Sequence, residues 1–222
     1  MSKETGKSRV LTSSEFKRVV NMQKSNKHGI RNICCLYISY FLGLRAKEIA
    51  SLRISSFVDT SGNLKKEVLL KRNMTKNSVQ RRCYLTNDKL KKIVTLYLEY
   101  RKSINKYHLD SALILSQKRG PFSPDTMQKL FSRMYRQVGL DGASSHSGRR
   151  TFATKLIENG IGIRNVQTLL GHKSIQTTTL YIQENPALLG KITASMSMWG
   201  SWCVRGLDSK EHLCRTSFLS CE

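Results

Sequence analysis

The stretch Ile33-Cys-Cys-Leu-Tyr-Ile-Ser-Tyr-Phe-Leu-Gly-Leu44 constrains this 222-residue chain more than any other. It is apolar on most sides of a helical wheel, and a helix of that kind has to be covered by other structure. It is also too short to cross a bilayer, which takes roughly 20 apolar residues. It runs straight into Arg45, Lys47 and Glu48. The sequence therefore predicts a buried helix over 31–42, punctuated by Gly43, with a short helix from Ala46 to Leu52. The hydrophobic fraction of 39% suits a globular core around it.

Other helices follow from caps and spacing. Ser13 and Ser14 are expected to cap a helix through Phe16, Val19, Val20 and Met22. Asn87 is expected to cap a long helix to about Lys106. Ser123-Pro124 opens another, with proline at its first position. Further helices are expected at 147–158, 163–170 and 175–183, separated by Gly160, Gly162 and Gly171. Between them the period changes. Phe57-Val58, Val68-Leu70 and Cys83-Leu85 read as strands, with a turn at Ser61-Gly62-Asn63. The fold class is thus α+β, mainly helical, with one small antiparallel sheet. Residues 1–10 form a basic lead, 11–195 the main domain, and 196–222 a tail of no recognisable structure.

Charge narrows the partner. There are 38 Lys+Arg against 15 Asp+Glu, a formal net charge of +23. Such an excess points to a polyanion, because basic side chains near phosphates release condensed counterions. Arg81, Arg82, Lys89, Lys91 and Lys92 are the expected phosphate-tracking surface, although the same residues also read as a solvated face. The polar N-terminus predicts no secretion leader. The six cysteines form no C-x-x-C pair and, even with His212, match no common zinc spacing, so they read as reduced thiols of a cytoplasmic protein. No membrane partner is expected.

Three segments carry candidate chemistry. His146 and Arg149 lie three apart and share a helix face, with Arg150 close to it. Ser144 or Ser145 could cap that helix and place His146 at its positive end. Alone, the segment reads equally as a basic, solvated helix start. His172 and Tyr181 are nine apart, which on one helix would oppose them. Gly171 and Ser174 predict a break that lets both reach one point. Arg45 precedes Glu48 by three, so the carboxylate can lock the guanidinium, or simply form a structural ion pair. Carboxylates are few and scattered, and Gly171-His-Lys-Ser174 lacks the earlier glycine of a phosphate-binding loop. Neither a metal nor a nucleotide cofactor is expected.

Taken together, Gly43-Leu-Arg45-Ala-Lys-Glu48-Ile, His146-x-x-Arg149, Leu-Gly-His172 and Tyr181 stand in the order of the tyrosine recombinase (phage integrase) family, which the chain resembles over about 11–185. The segment Thr75-Lys76-Asn77-Ser78-Val79-Gln80-Arg81, closed by Tyr84-Leu85, is similar to the family's lysine-bearing hairpin. This assigns Lys76, with Lys71 as second choice. Arg150 stands where the family commonly has histidine. The family's N-terminal DNA-clamping domain has no counterpart before Leu11. That fits either a small stand-alone inversion recombinase or a truncated integrase.

The resemblance implies a recombinase catalytic-domain fold and cleavage of double-stranded DNA by Tyr181 through a 3′-phosphotyrosine. It implies Arg45 and Arg149 on the non-bridging oxygens and Lys76 as proton donor to the leaving 5′-oxygen. His146 would assist proton transfer, His172 would donate to the phosphate, and Glu48 and Arg150 would give support. It further implies a homo-tetramer on paired sites, with room for accessory DNA-bending proteins, and a C-terminal helix near Pro186–Met196. A DNA-binding regulator or decayed mobile-element remnant is the alternative. A type IB topoisomerase would share the chemistry but act as a monomer.

Overall fold

The computed structural model describes residues 8–75 and 79–183. Lys76, the expected helix at 186–196 and the 196–222 tail lie outside them. The described chain runs α1 (Ser13–Lys24), α2 (Gly29–Leu42), α3 (Ala46–Ser51), α4 (Ile54–Phe57), β1 (Glu67–Leu70), a 3₁₀ turn at Arg72–Met74 and β2 (Arg81–Tyr84). It continues with α5 (Asp88–Ser103), α6 (Pro124–Arg136), α7 (Ser147–Glu158), α8 (Ile163–Leu170) and α9 (Gln176–Gln183).

The apolar segment lies at the centre. α2 packs on α1, α5 and α7. Cys34, Cys35, Leu36 and Ile38 are buried on different faces of it. α2 ends at Gly43, whose φ of 62° is the left-handed conformation that glycine adopts without a Cβ penalty. A Cβ there would also lie 2.5 Å from Cδ1 of Phe152 on α7. Gly148 of α7 is pressed against α2 as closely: a Cβ on it would meet Ser39 Oγ at 2.3 Å. These two contacts bring Arg45 and Arg149 into one neighbourhood.

The sheet is smaller than expected. β1 and β2 pair antiparallel, with Val68 opposite Cys83 and Leu70 opposite Arg81. Phe57 does not join them. Ile54 and Phe57 are both fully buried at helical spacing, so they close one turn of α4. Val58 makes only an isolated bridge to Leu64.

Two caps also differ. α1 is capped by Thr12, not Ser13 or Ser14, because only Thr12 stands three residues before Glu15 and completes a capping box. At α7 neither Ser144 nor Ser145 is the N-cap. His146 takes that position, and Ser144 Oγ accepts its backbone N–H at 3.2 Å.

Candidate active site

The site grows from the start of α3. Arg45 is its N-cap residue and Glu48 its third position. The fully buried Glu48 carboxylate accepts the Arg45 N–H on Oε2 at 2.8 Å and Arg45 Nη1 on Oε1 at 3.1 Å. This is the lock expected from their spacing. It is shared, however. Arg81 of β2 donates Nη1 to Oε1 at 2.8 Å and Nη2 to Oε2 at 2.9 Å. Arg149 Nη1 stands 3.9 Å from Oε2. Burial would push the Glu48 carboxyl up, but the Arg81 bonds and charge, with Arg149 and the Arg45 N–H, outweigh it and hold it low.

Arg81 is the clear departure from the sequence reading. It was expected on the DNA-tracking surface and is instead 6% exposed, with its fork spent on Glu48. It sits on β2 opposite Leu70, on the buried face of the hairpin. Its neighbour Arg82 points the other way and is exposed, 3.3 Å from Glu67. Lys89 and Lys92 are exposed on α5, and Lys91 pairs with Asp88 at 3.0 Å.

Arg149 is buried. Its Nη1 donates to the carbonyl of Gly43 at 2.8 Å and its Nη2 to that of Leu170 at 2.6 Å. One guanidinium thus ties the C-terminus of α2 to that of α8, where helix carbonyls lack helical partners. Burial, then the nearby charges of Arg45 and Arg81, push Arg149 down to about 9, which leaves it a cation at neutral pH.

α8 ends at Gly171, φ 63°, and α9 starts at Gln176. The break expected between His172 and Tyr181 is therefore present. Their rings stack, with centroids 6.2 Å apart and planes 17° apart. His172 is 8% exposed, and its Nδ1 lies 2.9 Å from the buried Thr178 hydroxyl. Burial first, then the charges of Arg149, Arg45 and Arg81, push the imidazole down to about 3. It is neutral near pH 7.

Arg45, His146, Arg149, Arg150, His172 and Tyr181 border one cleft of about 280 Å³. Arg150 also donates Nη1 to the Ser8 carbonyl at 2.9 Å, so its guanidinium holds the chain entering the domain. The charge balance is unusual. Three arginines surround one carboxylate beside a neutral histidine, an excess of two positive charges in a largely buried cluster. Uncompensated buried charge is costly, and an anion in the cleft would offset it. A larger groove of about 1110 Å³ lies elsewhere, along α6, but none of these residues reaches it. Sequence reasoning missed Thr178 and the Arg81–Glu48 bond. The run Thr177-Thr178-Thr179 was visible, but nothing in it marks which hydroxyl meets His172.

The profile of the phage integrase family matches residues 9–187. The chain belongs to the phage integrase family. Tyrosine recombinase XerD of Oceanobacillus iheyensis is 30% identical over 189 residues, which are 81% of this chain and 59% of that protein. Tyrosine recombinase XerC of Chlamydia pneumoniae is 30% identical over 168 residues, 72% of this chain and 49% of that one. The chain thus spans about half the length of these relatives. Two solved structures share the fold. XerA recombinase superposes with a TM-score of 0.69 at 24% identity, covering 86% of this chain and 66% of that one. XerH, solved bound to its difH substrate in a pre-cleavage complex, gives 0.62 at 23% identity, covering 85% and 54%. The mainly helical fold with one small antiparallel sheet is that of a tyrosine recombinase catalytic domain. Among the described residues no helix is long and apolar enough to cross a membrane.

Proposed function

We propose that this chain is a site-specific DNA recombinase that breaks and rejoins strands through a 3′-phosphotyrosine at Tyr181. One observation carries the reading: a cationic cleft brings three arginines, two histidines and a tyrosine onto a space that fits a phosphodiester.

The Tyr181 hydroxyl attacks the scissile phosphorus. A P–O bond to tyrosine forms as the bond to the 5′-oxygen breaks. Arg45 and Arg149 stabilise the charge gathering on the non-bridging oxygens, for which planar guanidinium forks are suited. With Thr178 donating to Nδ1, the neutral His172 carries its proton on Nε2 and can donate it to the same oxygens. His146, exposed at the head of α7, assists transfer of the tyrosine proton. Lys76 gives its proton to the leaving 5′-oxygen, and Glu48 and Arg150 hold the frame. A 5′-hydroxyl from a second strand then reverses the step on a new partner. Because the ester keeps the bond energy, the reaction needs no ATP, metal or cofactor.

The catalytic unit would extend over about 11–195, after the basic lead and before the 196–222 tail. It would act in the cytoplasm as a homo-tetramer on paired double-stranded sites, with accessory DNA-bending proteins as further partners. XerH in complex with difH supports DNA as the substrate class.

The test is covalent capture. The protein is mixed with supercoiled plasmid carrying its own gene and flanks, in EDTA and without ATP, and stopped with detergent. A protein-linked nick that disappears in Tyr181→Phe is the expected result. Binding without any adduct would overturn the reading in favour of a regulator.

A further inference from the structure

The Arg81–Glu48 pair lies outside the roles assigned above. We propose that Arg81 is a positioning residue that occupies the Glu48 carboxylate and thereby leaves the Arg45 and Arg149 guanidiniums open to a phosphate. The proposal rests on the phosphate-binding role given to those two arginines.

A carboxylate offers about four lone-pair sites. Arg81 takes one on each Glu48 oxygen, at 2.8 and 2.9 Å, and the Arg45 backbone N–H takes a third at 2.8 Å. The Arg45 guanidinium is left one longer contact of 3.1 Å. It is also the more exposed partner, with 17% of its side chain accessible against 4% for Arg81. Arg149 stands off at 3.9 Å and bonds to carbonyls instead. Without Arg81, two lone pairs and most of a negative charge would face these two guanidiniums. An internal carboxylate at fixed distance would then compete with the phosphate. The cluster's excess charge would also fall from two to one.

Arg81 has a second anchorage. A Cβ on Gly171 would lie 2.9 Å from Arg81 Cδ. Its stem therefore backs the turn that presents His172. One side chain from β2 joins the start of α3 to the end of α8, and through Glu48 and Gly171 it reaches groups on both sides of the cleft.

The test uses Arg81→Gln, Arg81→Lys, Glu48→Gln and the double variant Arg81→Gln/Glu48→Gln, each checked for cooperative melting. The double variant removes the buried unpaired charge and guards against misfolding of the first. Two readouts are taken: the adduct rate on the plasmid, and the affinity for inorganic phosphate from perturbation of arginine Nε–Hε NMR signals. Arg81→Gln should slow adduct formation about a hundredfold, the scale of losing one oriented donor. Phosphate affinity should fall about tenfold, as for a lost charge-assisted bond. Arg81→Lys, which keeps charge but has no fork, should also lose rate. Plasmid affinity should fall no more than phosphate affinity does, because the buried Arg81 itself contacts no DNA phosphate. The losses in Arg81→Gln and Glu48→Gln should not add in the double variant.

Additive losses would overturn the proposal. If the parent protein forms no adduct, the recombinase reading fails. The phosphate titration still decides the role of Arg81: unchanged affinity in Arg81→Gln would sink it.

Discussion

Nδ1 of His172 sits 2.9 Å from the hydroxyl of Thr178, and both groups are buried between α8 and α9. The contact ties the imidazole tautomer to the role of the hydroxyl. A hydroxyl that donates to Nδ1 leaves the imidazole proton on Nε2, the nitrogen still available to a ligand. Thr178→Val keeps the shape and removes the donor. It should slow adduct formation about tenfold, near the 1.4 kcal/mol of a hydrogen bond, with DNA affinity unchanged. Rate and affinity measured side by side check this.

The same histidine makes acid stability predictable. Its pKa falls from 6.5 to about 3 on folding, so below 6.5 the unfolded chain binds a proton that the folded chain refuses. Stability should therefore be full above 6.5 and decline as pH falls from 6.5 toward 3. Glu48, held low in the fold, adds a loss in the same direction below about 4.5. Melting temperatures from pH 7 to 4 should fall less steeply in His172→Gln than in the parent. Equal slopes would refute the assignment.

Arg149 places two donors on two carbonyls far apart in sequence, those of Gly43 and Leu170. Lysine can satisfy only one of them. Arg149→Lys should cost about 1–3 kcal/mol by leaving a buried carbonyl unpaired, and should slow cleavage by roughly 10²–10³-fold. Denaturant melts and single-turnover adduct rates measure the two effects.

Gly43 and Gly148 set the distance between α2 and α7. Gly43→Ala meets both a positive φ and Phe152, and Gly148→Ala meets Ser39. Each should destabilise by about 1–3 kcal/mol and slow the adduct rate, since Arg45 and Arg149 lie next to the displaced backbone. Gly120→Ala is the control. It has ordinary φ and nothing within 4 Å of the new Cβ, and should stay within about 0.5 kcal/mol of the parent.

Exposed basic residues should behave differently from the buried ones. Alanine at Arg82, Lys89 or Lys92 should weaken plasmid binding at low salt and reduce the salt slope by about one each. Lys91, paired with Asp88 on its own helix, should contribute less. A slope indifferent to all four would place the DNA on another face.

Much of the fold was legible because its signals are local. The all-round apolar segment predicts a buried helix wherever it occurs, and α2 is that helix. Asn87, Ser123-Pro124 and Gly171 mark helix ends through groups within a few residues of themselves. Phe57 misled because a two-residue apolar pair fits either period, and only burial of Ile54 alongside it favours a helical turn. Ser13 and Ser14 misled because capping depends on which hydroxyl stands three before Glu15.

The sequence by itself determined which chemical groups were available: Arg45 with Glu48, His146 with Arg149, His172 with a break before Tyr181. Spacings of three or four residues and a glycine are enough for that, because they act through the backbone's own geometry. Only the tertiary structure decided what Arg81 does. In sequence it stands beside Arg82 in a basic run, and two adjacent arginines look alike. Strand pairing turns alternate side chains to opposite faces, so Arg82 meets water while Arg81 meets a carboxylate 33 positions earlier. Likewise the bonds from Arg149 to Gly43 and Leu170 join helix ends distant in sequence, and no local pattern encodes a contact that exists only once α2, α7 and α8 have packed.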